Sequence, residues 1–162
     1  MINLRPDTTK IESSRKEYEA LPDAEWRKDY FNEENGGYLA TSWKRIAEAE
    51  RNSKEMSKFE KEHRNCLVFA QSGLRIKHLE DQKVDGTYDI LCNGKKGDLK
   101  RTAGCGNIVK YARYAVKEQG AEIVLFEFNE WKPEVRDAVS EIVRKNFHGY
   151  YFISGESTVH NF

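Results

Sequence analysis

The stretch that decides the fold is TYDILCNGKKGDLKR, running from Thr87 to Arg101. Thr87 to Cys92 and roughly Lys96 to Arg101 read as two strands. The Asn93-Gly94 pair between them supplies the residues a tight hairpin turn demands. Within the second strand Asp98 and Lys100 stand two apart. Strand side chains alternate, so these two project from one face while Leu99 faces the other way. Asp89, flanked by apolar residues in the first strand, lies across the ladder from that pair. Two carboxylates and an ammonium are thereby expected at one strand end.

Working outward, Leu74 to Leu79 (LRIKHL) alternates apolar and polar residues and predicts a further strand, joined to the hairpin by the acidic, Gly-containing turn EDQKVDG. Ahead of it a long helix is expected from Ser42, its cap, to Gly73, its terminating residue. The helix is charged through Glu55, and its apolar face appears at Phe59, Cys66, Phe69 and Ala70. Glu62, Cys66, Phe69 and Gly73 follow helical steps, so Glu62 falls where the pattern expects an apolar side chain. A carboxylate there needs a compensating partner, which a metal would provide. Glu60 is the alternative if the helix phase is one residue off.

After the hairpin, a turn at Gly104 to Gly106 opens a helix over Asn107 to Gln119, with Ile108, Tyr111, Ala112, Ala115 and Val116 apolar. EIVLFEF (Glu122 to Phe128) is the most apolar run and predicts a central strand. Pro133 starts a helix to about Asn146, buried through Val135, Val139, Ile142 and Val143. His148 to Ser154 predicts a last strand. The order α-β-β-β-α-β-α-β makes an α/β fold, a mixed sheet flanked by helices. Residues 1–43 differ. Pro6, Pro22, Gly36-Gly37 and many charges interrupt any period, and Trp26, Tyr30, Phe31, Tyr38 and Trp43 supply aromatic anchors. This part reads as an accessory N-terminal arm with one short helix near Arg15 to Tyr30, or as a disordered leader. Residues 44–162 form the main domain.

Composition narrows the chemistry. The chain has 162 residues, one ordinary domain, with 27 basic and 27 acidic side chains and a net charge of zero. That argues against a binder driven by overall positive charge, but not against an enzyme with a local basic rim around an acidic centre. Cys66, Cys92 and Cys105 have no paired spacing, so a zinc knuckle or disulfide framework is not expected, and Cys66 reads as a small buried hydrophobe. His63, His78, His148 and His160 lack ligand spacing and read as structural. The N-terminus has no apolar leader and no stretch reaches the length of a membrane span. A soluble protein is expected, at home in a reducing compartment such as the cytoplasm or delivered into a target cell by a larger system.

The site residues fit phosphodiester hydrolysis. Mg²⁺ takes a few carboxylate oxygens and keeps waters, with Mn²⁺ or Zn²⁺ as substitutes. Such an ion polarises a phosphoryl oxygen and lowers the pKa of a bound water. A neighbouring lysine can orient that water and offset developing charge. Lys95, Lys96, Arg101, Lys110 and Arg113 surround the motif, interleaved with Tyr111 and Tyr114, as contacts to a nucleic acid would require. Lys96, Arg101, Lys110 and Tyr111 are the candidate substrate-binding residues. The Gly104 to Gly106 turn would offer backbone N–H groups to a phosphate.

Helical Glu62, then Asp89, then Asp98-Leu99-Lys100 followed by a helix and an apolar strand, resembles the PD-(D/E)xK nuclease superfamily. More narrowly, EHRNCLVFAQSG, YDI, GDLK and VKYARYAVKEQGAEIVLFEF look like the tRNase or DNase domains at the C-termini of contact-dependent inhibition toxins and related polymorphic toxins. The resemblance spans about Phe59 to Ser154. It implies a restriction-endonuclease-like fold, metal binding by Glu62, Asp89 and Asp98, catalysis assisted by Lys100, and a polar residue near the site at Gln119. It also implies a nucleic-acid substrate, RNA and especially tRNA before DNA, and raises a cognate inhibitor protein as a partner. Tyr88 stands where the superfamily places a proline. The rival readings are a nucleic-acid-binding module that keeps the fold without the metal, and a phage-borne or accessory structural protein docked through its N-terminal arm.

Overall fold

The computed structural model describes residues 7–82, 86–102 and 105–162, Cys105 by its backbone alone. The chain forms two compact units, Met1–Glu80 and Asp81–Phe162. Both combine helices with β-structure, and the α/β class expected from the sequence is the one the chain adopts. Among the described residues no helix is long and apolar enough to cross a membrane.

The first unit begins with helix α1 (Thr8–Glu19), capped by the Asp7 carboxylate, which accepts the Lys10 N–H at 3.1 Å. Strands β1 (Trp26–Phe31) and β2 (Tyr38–Ser42) pair antiparallel, with an irregularity between Lys28 and Tyr30. The segment expected to be an arm with one helix thus holds a helix and two strands, and the helix ends before Pro22. Every residue of β2 is buried. Its apolar content, Tyr38-Leu39-Ala40, is too short to stand out as a periodic signal.

The single long helix expected after Ser42 is two helices. Helix α2 (Trp43–Ala49) is capped by Ser42 as expected, through the Lys44 N–H at 3.2 Å. Helix α3 (Ser53–Gln71) starts anew because Asn52 turns extended and its side chain takes the Glu55 N–H at 2.9 Å. Ile46 and Ala49 pack on Phe59. Phe59, Cys66, Phe69 and Ala70 are buried, and Gly73 takes the left-handed conformation, φ +109°, that closes a helix. Strand β3 (Arg75–His78) then pairs parallel with β2.

In the second unit β4 (Ile90–Cys92) and β5 (Lys95–Thr102) form the expected hairpin. Asn93 and Gly94 have φ of 51° and 82°, the two positive values of a type I′ turn. A single 3-10 turn (Cys105–Asn107) leads into helix α4 (Ile108–Lys117). Strand β6 (Ile123–Phe128) runs parallel to β5 on one side and to β7 (Gly149–Ile153) on the other. Helix α5 (Pro133–Arg144) has Pro133 in its first turn. A short strand not foreseen from the sequence, β8 (His160–Asn161), adds antiparallel to β7.

The register settles which face does what. Asp98, Lys100 and Thr102 pair with Val124, Phe126 and Phe128. Those three apolar residues form one core with Ile108, Ala112 and Ala115 of α4 and Val135, Val139 and Ile142 of α5. Asp98 and Lys100 therefore point to the helix-covered face. Val143, expected in the buried stripe of α5, is 47% exposed because the helix presents only one row of its apolar residues to that core.

Candidate active site

Asp98 is 0% exposed, at the centre of β5. Its Oδ2 lies 2.8 Å from Lys100 Nζ. Apart from that ion pair, neither Asp98 oxygen accepts a hydrogen bond among the described residues. A buried carboxylate with two unsatisfied oxygens is costly unless something cationic meets it. Such oxygens fit a hard divalent ion, which selects carboxylate donors.

Lys100 is held from several sides. Gln119 Oε1 accepts a hydrogen bond from Nζ at 2.8 Å, and the ammonium lies 5.5 Å and 5.9 Å from the ring centroids of Tyr114 and Tyr111. The backbone secures Gln119, whose carbonyl accepts the Thr87 N–H at 3.0 Å. Gly86, φ +102°, permits that approach, since a side chain there would collide with the same carbonyl. Asp89 lies just before β4 rather than inside a strand, yet its N–H donates to the Gly97 carbonyl at 3.0 Å. Its Oδ2 accepts the Leu99 N–H at 3.0 Å, between Asp98 and Lys100.

The second unit thus brings Asp98, Gln119 and Tyr111 to Lys100, and ties Asp89 to the backbone of Leu99 between Asp98 and Lys100. Lys96 donates its backbone N–H to Glu122, and its ammonium lies 5.3 Å from the Tyr88 ring centroid. Arg101 is exposed and paired with Glu127 at 3.1 Å, while Lys110 is exposed on α4. Gly104 and the side chain of Cys105 lie outside what is described.

Glu62 belongs to the first unit and has protein partners there. Its Oε2 lies 3.1 Å from Arg45 Nη2 and 3.2 Å from His78 Nε2. Burial alone would raise the Glu62 pKa, but the hydrogen bond and electrostatics of His78, followed by Arg45, outweigh it and hold the carboxyl below its ordinary value. His78 is fully buried and stacks on Phe59 at 5.4 Å, and His63 stacks on the other histidine at 5.9 Å while its Nε2 meets Asp29 at 3.3 Å. Burial, ahead of the opposing pull of Asp29, lowers the His63 pKa. The compensation that the helical pattern demanded for Glu62 is supplied here by Arg45 and His78. Within neither unit do three His, Cys, Asp or Glu side chains of described residues gather closely enough to hold an ion by themselves. Any metal on Asp89 and Asp98 would keep several waters, as Mg²⁺ does.

Sequence reasoning named Tyr114 among the aromatics interleaved with the basic residues, but placed neither it nor Lys117 among the substrate-binding residues. Tyr114 is 52% exposed and borders Lys100. The available signal was charge: from Lys95 to Lys117 there are seven basic residues and only Asp98 is acidic.

No family model matches this chain, and no curated protein matches it either. Among solved structures it is similar to the CdiA-CT/CdiI toxin and immunity complex from Burkholderia pseudomallei, with a TM-score of 0.51 and 10% identity, over 63% of this chain and 81% of that one. At this identity the likeness is one of fold, and at that level it meets the toxin-domain resemblance read from the order of motifs.

Proposed function

We propose that this chain is a toxin-type, metal-dependent endonuclease that hydrolyses phosphodiester bonds in nucleic acid, with RNA, and tRNA above all, as its substrate. The observation that carries this reading is the Asp98–Lys100 pair: a fully buried carboxylate that, among the described residues, has no hydrogen-bond donor beyond its ammonium partner, itself aligned by Gln119. Asp89 and Asp98 would hold a divalent ion, Mg²⁺ or a substitute such as Mn²⁺ or Zn²⁺. Such an ion supplies Lewis-acid activation of the phosphate and a nucleophilic water at neutral pH.

Lys100 orients the attacking water and offsets charge on the pentacoordinate phosphorus. The water oxygen bonds to phosphorus and loses a proton to solvent, the bridging P–O bond breaks, and the leaving oxygen takes up a proton from solvent. Gln119 is a positioning residue that fixes the ammonium through Oε1. Lys96, Arg101, Lys110 and Tyr111 supply contacts to the substrate. The solved neighbour is a toxin with its immunity protein, which supports a cognate inhibitor for this chain and delivery into a target cell as part of a larger system.

The test is the purified chain with Mg²⁺ or Mn²⁺, offered tRNA and plasmid DNA beside Asp98→Asn and Lys100→Ala. Cleavage by the wild type alone is expected, with tRNA cut in preference. The reading falls if wild type and variants leave both substrates intact. Glu62→Gln in the same assay reads whether activity needs the acid that Arg45 and His78 hold. A second reading, a nucleic-acid binder without chemistry, is favoured by one fact: Lys100 already neutralises Asp98 without any ion. Binding without cleavage in every metal would select it.

A further inference from the structure

We propose that the outer face of α4 is a track for single-stranded nucleic acid, on which an unpaired base stacks against Tyr114 beside Lys100; what the track feeds rests on the nuclease reading above. Helix α4 buries Ile108, Ala112 and Ala115, with Val109, Tyr111 and Val116 packed on the same core. That leaves Lys110, Arg113, Tyr114 and Lys117, spaced by three, one and three residues on the opposite face. All four are exposed. Among the described residues none of the three cations is held in an ion pair. No acid occurs anywhere in the helix.

This is local positive charge in a chain of zero net charge, and such charge draws a polyanion toward the helix. Cations alone would receive any phosphate backbone. The ring in their midst adds a condition. Single strands bind where a basic track carries aromatic side chains, because each unpaired base exposes a π-face, whereas a duplex keeps its bases stacked on one another. Tyr114 is 52% exposed, too open to be explained as core. Lys100 Nζ sits 5.5 Å from its centroid and 2.8 Å from Asp98 Oδ2. A base on Tyr114 would thus place its neighbouring phosphate beside the acid–lysine pair. RNA and single-stranded DNA share this chemistry.

The test measures binding of the full chain in a metal chelator, so that no hydrolysis occurs. Fluorescence anisotropy would use a short labelled oligoribonucleotide, the single-stranded DNA of the same sequence, and the duplex of each. At least one single strand should bind more tightly than its duplex, and the one preferred identifies the source. Tyr114→Ala should weaken single-strand binding about tenfold, as loss of one stacked base does, with duplex binding nearly unchanged and Tyr114→Phe close to wild type. Reversing Lys110, Arg113 and Lys117 to Glu should weaken binding of every probe and flatten its salt dependence. The proposal is overturned if duplex binds as well as single strand, if nothing binds, or if Tyr114→Ala, folded by circular dichroism, binds like wild type. Expected binding without cleavage in Mg²⁺ removes only the nuclease reading; cleavage without strand preference removes only the track.

Discussion

Lys100 Nζ stands 2.8 Å from the Oδ2 of Asp98, two residues back on the same face of β5, in a place that solvent does not reach Asp98 at all. The pair is a product of strand parity, and its isolation is a product of the helices laid over that face. The contribution of the pair to stability and its proposed part in catalysis can be tested separately.

Lys100→Ala leaves the Asp98 carboxylate buried without its counter-charge. Breaking a buried pair from one side costs roughly 3–5 kcal/mol. The Lys100 side chain is 18% exposed, so the lower end, about 3 kcal/mol, is expected in urea unfolding. Adding Asp98→Asn to Lys100→Ala should recover most of the loss. A cost below about 1 kcal/mol would mean that the pair is solvated in practice.

Divalent metal should raise the melting temperature of the wild type. At a hundredfold excess over the dissociation constant the gain is about 2.7 kcal/mol. Asp98→Asn should abolish the shift, since it removes the charge and keeps the shape. An unchanged melting temperature in both Mg²⁺ and Mn²⁺ would remove the metal site.

Gly149 pairs with Val124 across β6 and β7, and a Cβ there would land on the Val124 carbonyl. Backbone atoms in a parallel ladder cannot give way, so Gly149→Ala should exceed the roughly 1–3 kcal/mol of ordinary overpacking. Gly94→Ala is the control. Its Cβ meets open space, and only the φ of +82° opposes it, a cost of about 1 kcal/mol. Equal losses in thermal unfolding would contradict the close approach at Gly149.

The Glu17 carboxylate accepts the Tyr38 hydroxyl at 2.6 Å and pairs with Arg75. Burial alone would raise its pKa, but these two partners outweigh it and hold it below the ordinary 4.5. A lowered folded pKa means stability that is present above the unfolded value and lost as pH falls through the folded one. Glu17→Gln should therefore flatten the acid limb of the stability–pH profile below about pH 4.5 and leave its slope at neutral pH unchanged. An acid limb as steep as the wild type's would show that Glu17 is not held this way.

Much of the second unit was legible beforehand. The hairpin followed from Asn93-Gly94, the shared face of Asp98 and Lys100 from alternation, and α4, β6 and α5 from long, regular patterns. A polar residue near the site at Gln119 was expected only through resemblance, and its bond to Lys100 needed β5 and the end of α4 to be brought together. In the first unit β2 was missed because three apolar residues make no period. The break between α2 and α3 was missed because Asn52 caps by a side-chain bond that a hydrophobic pattern does not register.

The sequence by itself determined what depends on neighbours along the chain: the turn, the strand parity that sets Asp98 beside Lys100, and the amphipathic faces of the later helices. Tertiary structure alone decided what depends on partners far apart in sequence. It turned Asp98 inward against α4, gave Glu62 to Arg45 and His78, and left Tyr114 and Val143 in the open. Local geometry follows from a residue's own backbone and its near neighbours. Burial and charge pairing follow from which surfaces meet, and no local pattern encodes that.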